Sequence, residues 1–547
     1  MPINEELVID VADRIRDILD DYPAGPAILR EILQNTDDAG GRVQRFILDS
    51  RQHSSEGLVD PMLNECQGPA IIAYNDSSFK PQDWTAIRSI SNSSKKGDER
   101  STGKFGLGFC TCYHVTDYPH VLSGDKLLIL DPHKNIKSSS GCIAFSTRRS
   151  DTDSDRETCT AHFEAFEGIL SPDSDTLEGT AIRLPLRLPN SKSRINPTPM
   201  SVEAVRELFD NFIKNDLPEV MLFLKHITSI ELSEISPDGT ETVRAIIQIK
   251  NADEITGERS KHRGRSSRAE TSHYELEVAM KSDPASPDST SHTRRWIITH
   301  YVDSFGIASD AMAKRLDPVV DPDRVEAMMI ADKLFPHVAL AFPVPDATVS
   351  QSQTFSGRLF TLLPLPIITH FPLHIHATLS LTSSRQNLRN ANETVMDPKG
   401  RNPDLLLALV SCNVPVVVVP PNILDDMSAS EFKDTILSPA TTVPFLRANI
   451  KMLSSLPNTA IKLICDYLVT AGDVNLILNL PIIPNVQGTH TSISPNLTYT
   501  LANESEATLF RIVDPKLLAG NEMSSPTVEL LLTQREGKIH GLEPKDI

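Results

Sequence analysis

Between residues 8 and 40 the apolar positions recur at helical spacing. Val8, Val11, Ile15 and Ile18 form one stripe, and Ile28, Ile32 and Leu33 form a second. Two amphipathic helices are predicted there. The pattern then changes to short apolar runs. Ala70-Ile71-Ile72-Ala73-Tyr74, Lys126-Leu127-Leu128-Ile129-Leu130 and Ile182-Arg183-Leu184-Pro185-Leu186 each have the length and composition of a buried strand. This alternation predicts an α/β sandwich over residues 1–195, one sheet with helices over a face.

Residues 196–401 read as a second α/β region, with Ser201 placed to cap a helix that begins at Val202. Within it, residues 251–293 are rich in Ser, Arg, Asp and Thr and are expected to form a disordered loop. The basic run Lys261-His262-Arg263-Gly264-Arg265 is read as part of that solvated loop rather than as a targeting patch. From residue 402 to 547 helical periodicity dominates, as in 445–453 and 461–469, and no repeat of 20–50 residues is visible. The most apolar stretch, 405–424, contains Pro415, Pro420 and Pro421. A membrane helix needs about 20 uninterrupted residues, so this stretch is read as holding a short buried strand at Val416–Val419.

A chain of 547 residues with 39% hydrophobic content supports several real cores. Its net charge of −19 argues against a dedicated nucleic-acid binder, which must present excess positive charge. A basic pocket for a small polyanion remains compatible with an acidic whole. Seven cysteines without repeated spacing do not make a disulfide framework, and Cys110-Thr111-Cys112 is expected to be packed core rather than half of a zinc site. The N-terminus has neither a basic flank nor an apolar core, so no secretory signal is expected. The cytoplasm is the default compartment, with the nucleus open.

Three segments carry candidate chemistry. In Leu29-Arg30-Glu31-Ile32-Leu33-Gln34-Asn35-Thr36-Asp37-Asp38-Ala39, the residues Glu31, Asn35 and Asp38 fall on one helical face. An acid, an amide and an acid in such a stripe suit a Mg-bound triphosphate. The amide oxygen of Asn35 is a neutral hard ligand for Mg²⁺, and Glu31, one turn earlier, can orient or deprotonate water. Downstream, Gly103-Lys104-Phe105-Gly106-Leu107-Gly108-Phe109 spaces three glycines so that backbone N–H groups can approach phosphates. The residues after it look helical, which would add a favourable N-terminus. Finally, Gly179-Thr180 opens a strand and could offer a hydroxyl from the sheet.

The order acidic-Asn helix, Gly-rich loop, Gly-Thr strand resembles the GHKL ATPases. More closely, the chain resembles the sacsin-like proteins within that superfamily. That resemblance rests on residues 32–40, on Asp49-Ser50-Arg51-Gln52-His53, on Gln67-Gly68-Pro69-Ala70 and on Tyr74-Asn75-Asp76-Ser77-Ser78-Phe79. It continues in Gly103 to Phe109, in Tyr113-His114-Val115-Thr116-Asp117 and in Leu130-Asp131-Pro132-His133. It implies a Bergerat-type ATPase domain over 1–195, a region like the heat-shock chaperone middle domain over 196–401, and a helical region of unknown role over 402–547. It also implies ATP and Mg²⁺ as ligands, with other chaperones or client proteins as partners. The implied nucleotide contacts are Asn35, Asp38, Ala39, Asn75 or Asp76, Gly103, Lys104, Phe105, Gly106, Leu107, Gly108, Phe109 and Thr180, with Glu31 as the general base. Ser384-Arg385-Gln386-Asn387-Leu388 resembles the chaperones' catalytic loop and implies that Arg385 reaches the γ-phosphate.

One departure stands out. Where the heat-shock chaperones have Asp-x-Gly-x-Gly, whose Asp accepts from the adenine amino group, this chain has Asn75-Asp76-Ser77-Ser78-Phe79. A neutral hydrogen bond contributes about 0.5–1.5 kcal/mol against about 1.5–3 kcal/mol with a charged partner, so weak nucleotide binding is expected. Three functions follow in order of preference: a slow chaperone-type ATPase, a nucleotide-binding scaffold without turnover, and a nucleic-acid-linked relative of MutL.

Overall fold

The computed structural model describes residues 10–21, 24–88, 108–137, 139–149, 155–261, 270–284, 291–302, 337–344, 357–368 and 373–377, together with short strands between 483 and 541. The chain divides into two units. The first comprises Met1–Ala341, Arg358–Ile368 and His374–Lys399, and the second comprises Phe342–Gly357, Thr369–Leu373 and Gly400–Ile547.

In the first unit the two expected helices are α1 (Val11–Asp21) and α2 (Ala27–Ala39), and α2 ends where Gly40 turns left-handed at φ 85°. Strand β1 (Val43–Asp49) follows, then a 3-10 helix over Pro61–Gln67, β2 (Ala70–Asn75) and the short helix α3 (Pro81–Ala86). A second 3-10 helix over Gly108–His114 leads to the hairpin of β3 (His120–Gly124) and β4 (Lys126–Leu130), flanked by β5 (Cys142–Ser146). Short helices α4 (Asp155–Thr158) and α5 (Thr160–Glu164) precede β6 (Leu177–Pro185), which inserts antiparallel between β2 and β3. The segment after the Gly-rich loop was expected to be an α-helix; it is the tighter 3-10 form. It is nearly all buried and packs through Cys110 and Tyr113 on Ala12, Ile15, Ile18 and Leu19 of α1.

Helix α6 (Val202–Asn215) starts as the sequence predicts, with the Ser201 side chain accepting from Ala204 N–H. After α7 (Leu217–Val220) come β7 (Ser229–Ile235), β8 (Glu241–Ile249), α8 (Ala252–Lys261), β9 (Glu270–Ser282), β10 (Ser291–Val302), β11 (His337–Val344), β12 (Arg358–Thr361), β13 (Leu363–Ile368) and β14 (His374–Ala377). One mixed sheet of fourteen strands runs in the order β13-β12-β14-β11-β10-β9-β8-β7-β1-β2-β6-β3-β4-β5. The parallel pairing of β1 with β7 carries this sheet across residue 195 without a break.

The polar stretch 251–293 is not simply a loop. It contains α8, all of β9 and the start of β10. Composition hides the period of two: Tyr274, Leu276 and Val278 are buried on one face of β9 while Glu275 and Glu277 alternate with them. Arg259 of α8 is buried too, its guanidinium donating to the Ile227 and Met221 carbonyls.

Around β1, β2 and β6 both faces of the sheet are covered, where one face had been expected. On one face Thr36 of α2 bonds Gln44 of β1, and Phe212 of α6 meets Phe46 edge to face at 6.1 Å. On the other, Leu63, Cys66, Phe163, Phe166 and Leu170 pack on Leu122, Leu127, Ile129 and Ala181. In the second unit the described residues form two small sheets, β15 (Ile483–Pro484) with β16 (His490–Thr491), and β17 (Tyr499–Ala502) between β18 (Leu517–Ala519) and β19 (Ile539–Gly541). The expected strand at 416–419 and helices at 445–453 and 461–469 lie outside the described residues.

Candidate functional site

Helix α2 supplies the acidic-Asn stripe. Glu31 is buried at 8% exposure although it is an acidic residue, and Asn35 lies one turn later on the same face, partly exposed. Glu31 meets the end of the Gly-rich loop directly. A β-carbon on Gly108 would come 2.0 Å from Glu31 Oε2, so only glycine allows this approach. The acidic-Asn helix and the end of the Gly-rich loop are therefore adjacent. Phe109 is on the same 3-10 turn, half-buried, whereas Gly103, Lys104, Phe105, Gly106 and Leu107 lie outside the described residues.

The two neighbouring aspartates of α2 have separate tasks. Asp37 is fully buried and accepts the backbone N–H groups of Lys225, His226 and Ile227 at 2.7–3.2 Å. It locks the chain leading into β7 onto the C-terminal turn of α2. Asp38 faces the side chain of Lys225, with Oδ1 to Nζ at 3.2 Å. The back of the helix is tied as well, since Arg30 pairs with the buried Asp216 at the end of α6. None of Asp37, Asp216 and Lys225 was singled out from the sequence, because their partners are almost two hundred residues distant.

Opposite α2, the sheet presents a polar row. Gln44, Asn75, Thr180 and Ser123 stand in register on β1, β2, β6 and β3, so their side chains share a face. Thr36 of α2 donates to Gln44 Oε1 at 2.6 Å, which identifies that face as the one beneath α2. Thr180 is 1% exposed; its hydroxyl donates to the Ser77 carbonyl at 2.7 Å and lies 2.9 Å from Ser123 Oγ. Ser123 in turn accepts from Phe79 N–H and donates to the Gly179 carbonyl, both at 2.8 Å. Gln44 and Ser123 carry no sequence signature; only strand pairing brings them to Asn75.

Strand geometry separates the two candidates at the end of β2. Asn75 is buried in the polar row, and its Oδ1 accepts from Ser77 N–H at 3.0 Å. Asp76, just beyond the strand, is exposed, and its Oδ1 accepts from Arg42 and Val43 N–H at 2.7 and 3.1 Å. The serines that replace the expected glycine pattern knit three segments together. Ser77 Oγ donates to the carbonyl of Ala39 at the end of α2, and Ser78 Oγ accepts from Gly179 N–H at 3.0 Å. Gly179 adopts φ +123°, and a β-carbon there would lie 2.2 Å from the Asn75 carbonyl oxygen. Arg385, expected to approach from the second region, lies outside the described residues. Cys110 and Cys112 are buried core, with burial pushing the Cys110 thiol up to about 12.

Residues 9–246 match the family described as the Sacsin domain. That stretch is a sacsin domain. It contains α1 to β7 and the first part of β8, and thus every described residue of the site. Human sacsin (Homo sapiens) is 29% identical to the chain over 409 residues, covering 69% of this chain; the chain spans only 8% of sacsin's length. Among solved structures, the crystal structure of the N-terminal domain of a DNA repair protein overlaps 74% of this chain and 97% of that chain at a TM-score of 0.30 and 9% identity, too loosely to bear on fold or function. No helix of the described residues is long and apolar enough to cross a membrane.

Proposed function

We propose that the sacsin domain of this chain binds a Mg-bound nucleoside triphosphate, ATP by resemblance to the GHKL proteins, and hydrolyses it slowly. The observation that carries this reading is the junction of Glu31 with Gly108 beside a polar row containing Asn75 and Thr180. Three segments far apart in sequence, each of the type a triphosphate site needs, meet around one helix. Asn35 would hold the magnesium through its neutral amide oxygen. The ion supplies charge neutralisation at the phosphates. Glu31 would act as general base toward the attacking water, and the 103–109 loop would present backbone N–H groups to the phosphates. Arg385 would approach the γ-phosphate from the 196–401 region.

The wider role follows from the resemblance: a chaperone or co-chaperone whose partners are other chaperones or client proteins, in the cytoplasm or nucleus. A scaffold without turnover is the second reading. It is favoured by the neutral Asn75 where a carboxylate is expected, and by Asp76 being engaged with backbone N–H groups instead. Calorimetry of Mg-ATP binding to the wild type and to Asn35→Ala, with phosphate release measured in parallel, tests both. Equal affinity in the two proteins removes the site assignment. Binding without phosphate release leaves the scaffold.

A further inference from the structure

We infer that Arg187 is a positioning residue for the Gly-rich loop: by holding the far end of the 3-10 helix over Gly108–His114, it fixes where Gly108 meets Glu31. The inference rests on the nucleotide reading above and concerns only what sets that junction. Its basis is a buried ion pair that takes no part in the site itself. The side chains of Arg187 and Asp117 are 1% and 6% exposed. All five guanidinium N–H groups of Arg187 are engaged. Nε and Nη2 donate to the two Asp117 oxygens at 3.3 and 2.9 Å, Nη2 also donates to the Tyr113 carbonyl at 2.6 Å, and Nη1 donates to the His114 and Thr198 carbonyls at 3.0 and 3.2 Å. Asp117 is held in turn by the hydroxyls of Ser193 and Ser191 at 2.7 and 3.2 Å. The backbone N–H of Arg187 donates to the Val115 carbonyl at 2.9 Å.

The last carbonyls of a helix have no partner within it, and buried ones need donors from elsewhere. Tyr113 and His114, the last two residues of the 3-10 helix, receive theirs from one planar fork. Taking two charges out of water makes a buried ion pair a weak stabiliser, so what this pair contributes beyond apolar packing is geometry. The helix carries that geometry to its other end. At about 2 Å per residue it spans about 12 Å. Cys110 and Tyr113 pack it on α1, and Thr111 Oγ1 donates to the Gly108 carbonyl at 2.7 Å, which closes the first turn. Gly108 then meets Glu31 with no room to spare, since a β-carbon would lie 2.0 Å from Oε2. A helix released at Tyr113 and His114 is free to slide along this contact, and the end of the loop moves with it.

Calorimetric titration of the purified full chain with Mg-ATP, with thermal melts alongside, tests the inference on Arg187→Lys, Thr111→Val and Gly108→Ala. Lysine keeps a cation beside Asp117 but cannot reach both carbonyls. Arg187→Lys should weaken Mg-ATP binding about tenfold, the loss of one charge-assisted hydrogen bond to phosphate. Thr111→Val opens the first turn without changing side-chain size and should weaken binding in the same direction. Because both act through Gly108, neither should add more than about twofold to the loss caused by Gly108→Ala alone. A part confined to folding would lower the melting temperature and leave the affinity of the folded protein unchanged. That outcome, or losses that multiply with that of Gly108→Ala, overturns the positioning role while leaving the triphosphate site standing. If Arg187→Lys does not fold, Thr111→Val carries the same comparison. A wild type that binds no Mg-ATP overturns the nucleotide reading itself, and this inference falls with it.

Discussion

The Glu31 carboxylate occupies the place a side chain at Gly108 would need: a β-carbon there would lie 2.0 Å from Oε2 and 2.9 Å from Cδ. The obstruction is the far end of a flexible side chain. At Gly179 the obstruction is the Asn75 carbonyl oxygen at 2.2 Å, which is backbone, and φ is +123°. The two glycines should therefore fail differently. Gly108→Ala is expected to displace Glu31, lowering hydrolysis while changing stability by less than about 1 kcal/mol. Gly179→Ala combines backbone strain with a rigid clash and should lose about 3 kcal/mol. Denaturant midpoints and turnover, measured on both variants, separate these outcomes; a Gly179→Ala midpoint equal to wild type contradicts the geometry.

Glu31→Ala should leave nucleotide affinity nearly intact and slow hydrolysis by about 10²–10⁴-fold, the usual contribution of a positioned general base. Arg385→Ala should slow single-turnover hydrolysis by about 10²–10³-fold with little effect on affinity. Arg389→Ala is its control, and equal loss in both arginine variants removes the case for a catalytic loop.

Asp37 and Asp38 are neighbours with unlike roles, and mutation should reveal it. Asp37→Ala strands three backbone N–H groups, those of Lys225, His226 and Ile227, and should destabilise the domain by about 3–5 kcal/mol. Asp38→Ala removes a partner of Lys225 Nζ and should weaken nucleotide binding more than folding. Thermal melts with and without Mg-nucleotide distinguish the two; a larger loss of stability at Asp38 would reverse the assignment.

Acid should unfold this domain earlier than its surface charge suggests. Burial holds His162 at about 4, His374 at about 3 and His376 at about 4, and burial with Arg183 nearby holds His120 well below its ordinary value. The unfolded chain takes up these protons near pH 6.5 while the folded chain stays neutral, so between pH 6.5 and 4 the unfolded state binds more protons. Stability should be flat above pH 7 and fall on acidification by about 1.4 kcal/mol per pH unit for each such histidine. His120 has neither ring nitrogen hydrogen-bonded, so His120→Leu should flatten the slope between pH 6 and 5. Urea midpoints at pH 7, 6 and 5 measure it; an unchanged slope would mean that His120 titrates freely in the folded state.

Much of the first 250 residues was legible from periodicity. Helices α1, α2 and α6, the Ser201 cap and strands β2, β4 and β6 all follow from local patterns of apolar and capping residues, because each is set by contacts within a turn or along a strand. What differs has equally local causes. Over 251–293 the composition averages out the alternation that makes β9 a strand. The 3-10 form of Gly108–His114 is imposed by packing on α1 and α2, which no seven-residue window records.

The sequence by itself determined the chemical vocabulary of the site: an acidic-Asn helix, a glycine loop and a Gly-Thr strand, with Asn75 in place of the expected carboxylate. Which of Asn75 and Asp76 lies beneath α2, that Asp37 is a backbone anchor and Asp38 the partner of Lys225, and that Gln44 and Ser123 complete the polar row were decided only by the tertiary structure. The physical reason is register. A residue's identity fixes what it can donate or accept, but strand pairing and the packing of α2 on the sheet fix which neighbour it meets, and those neighbours lie tens to hundreds of residues away along the chain.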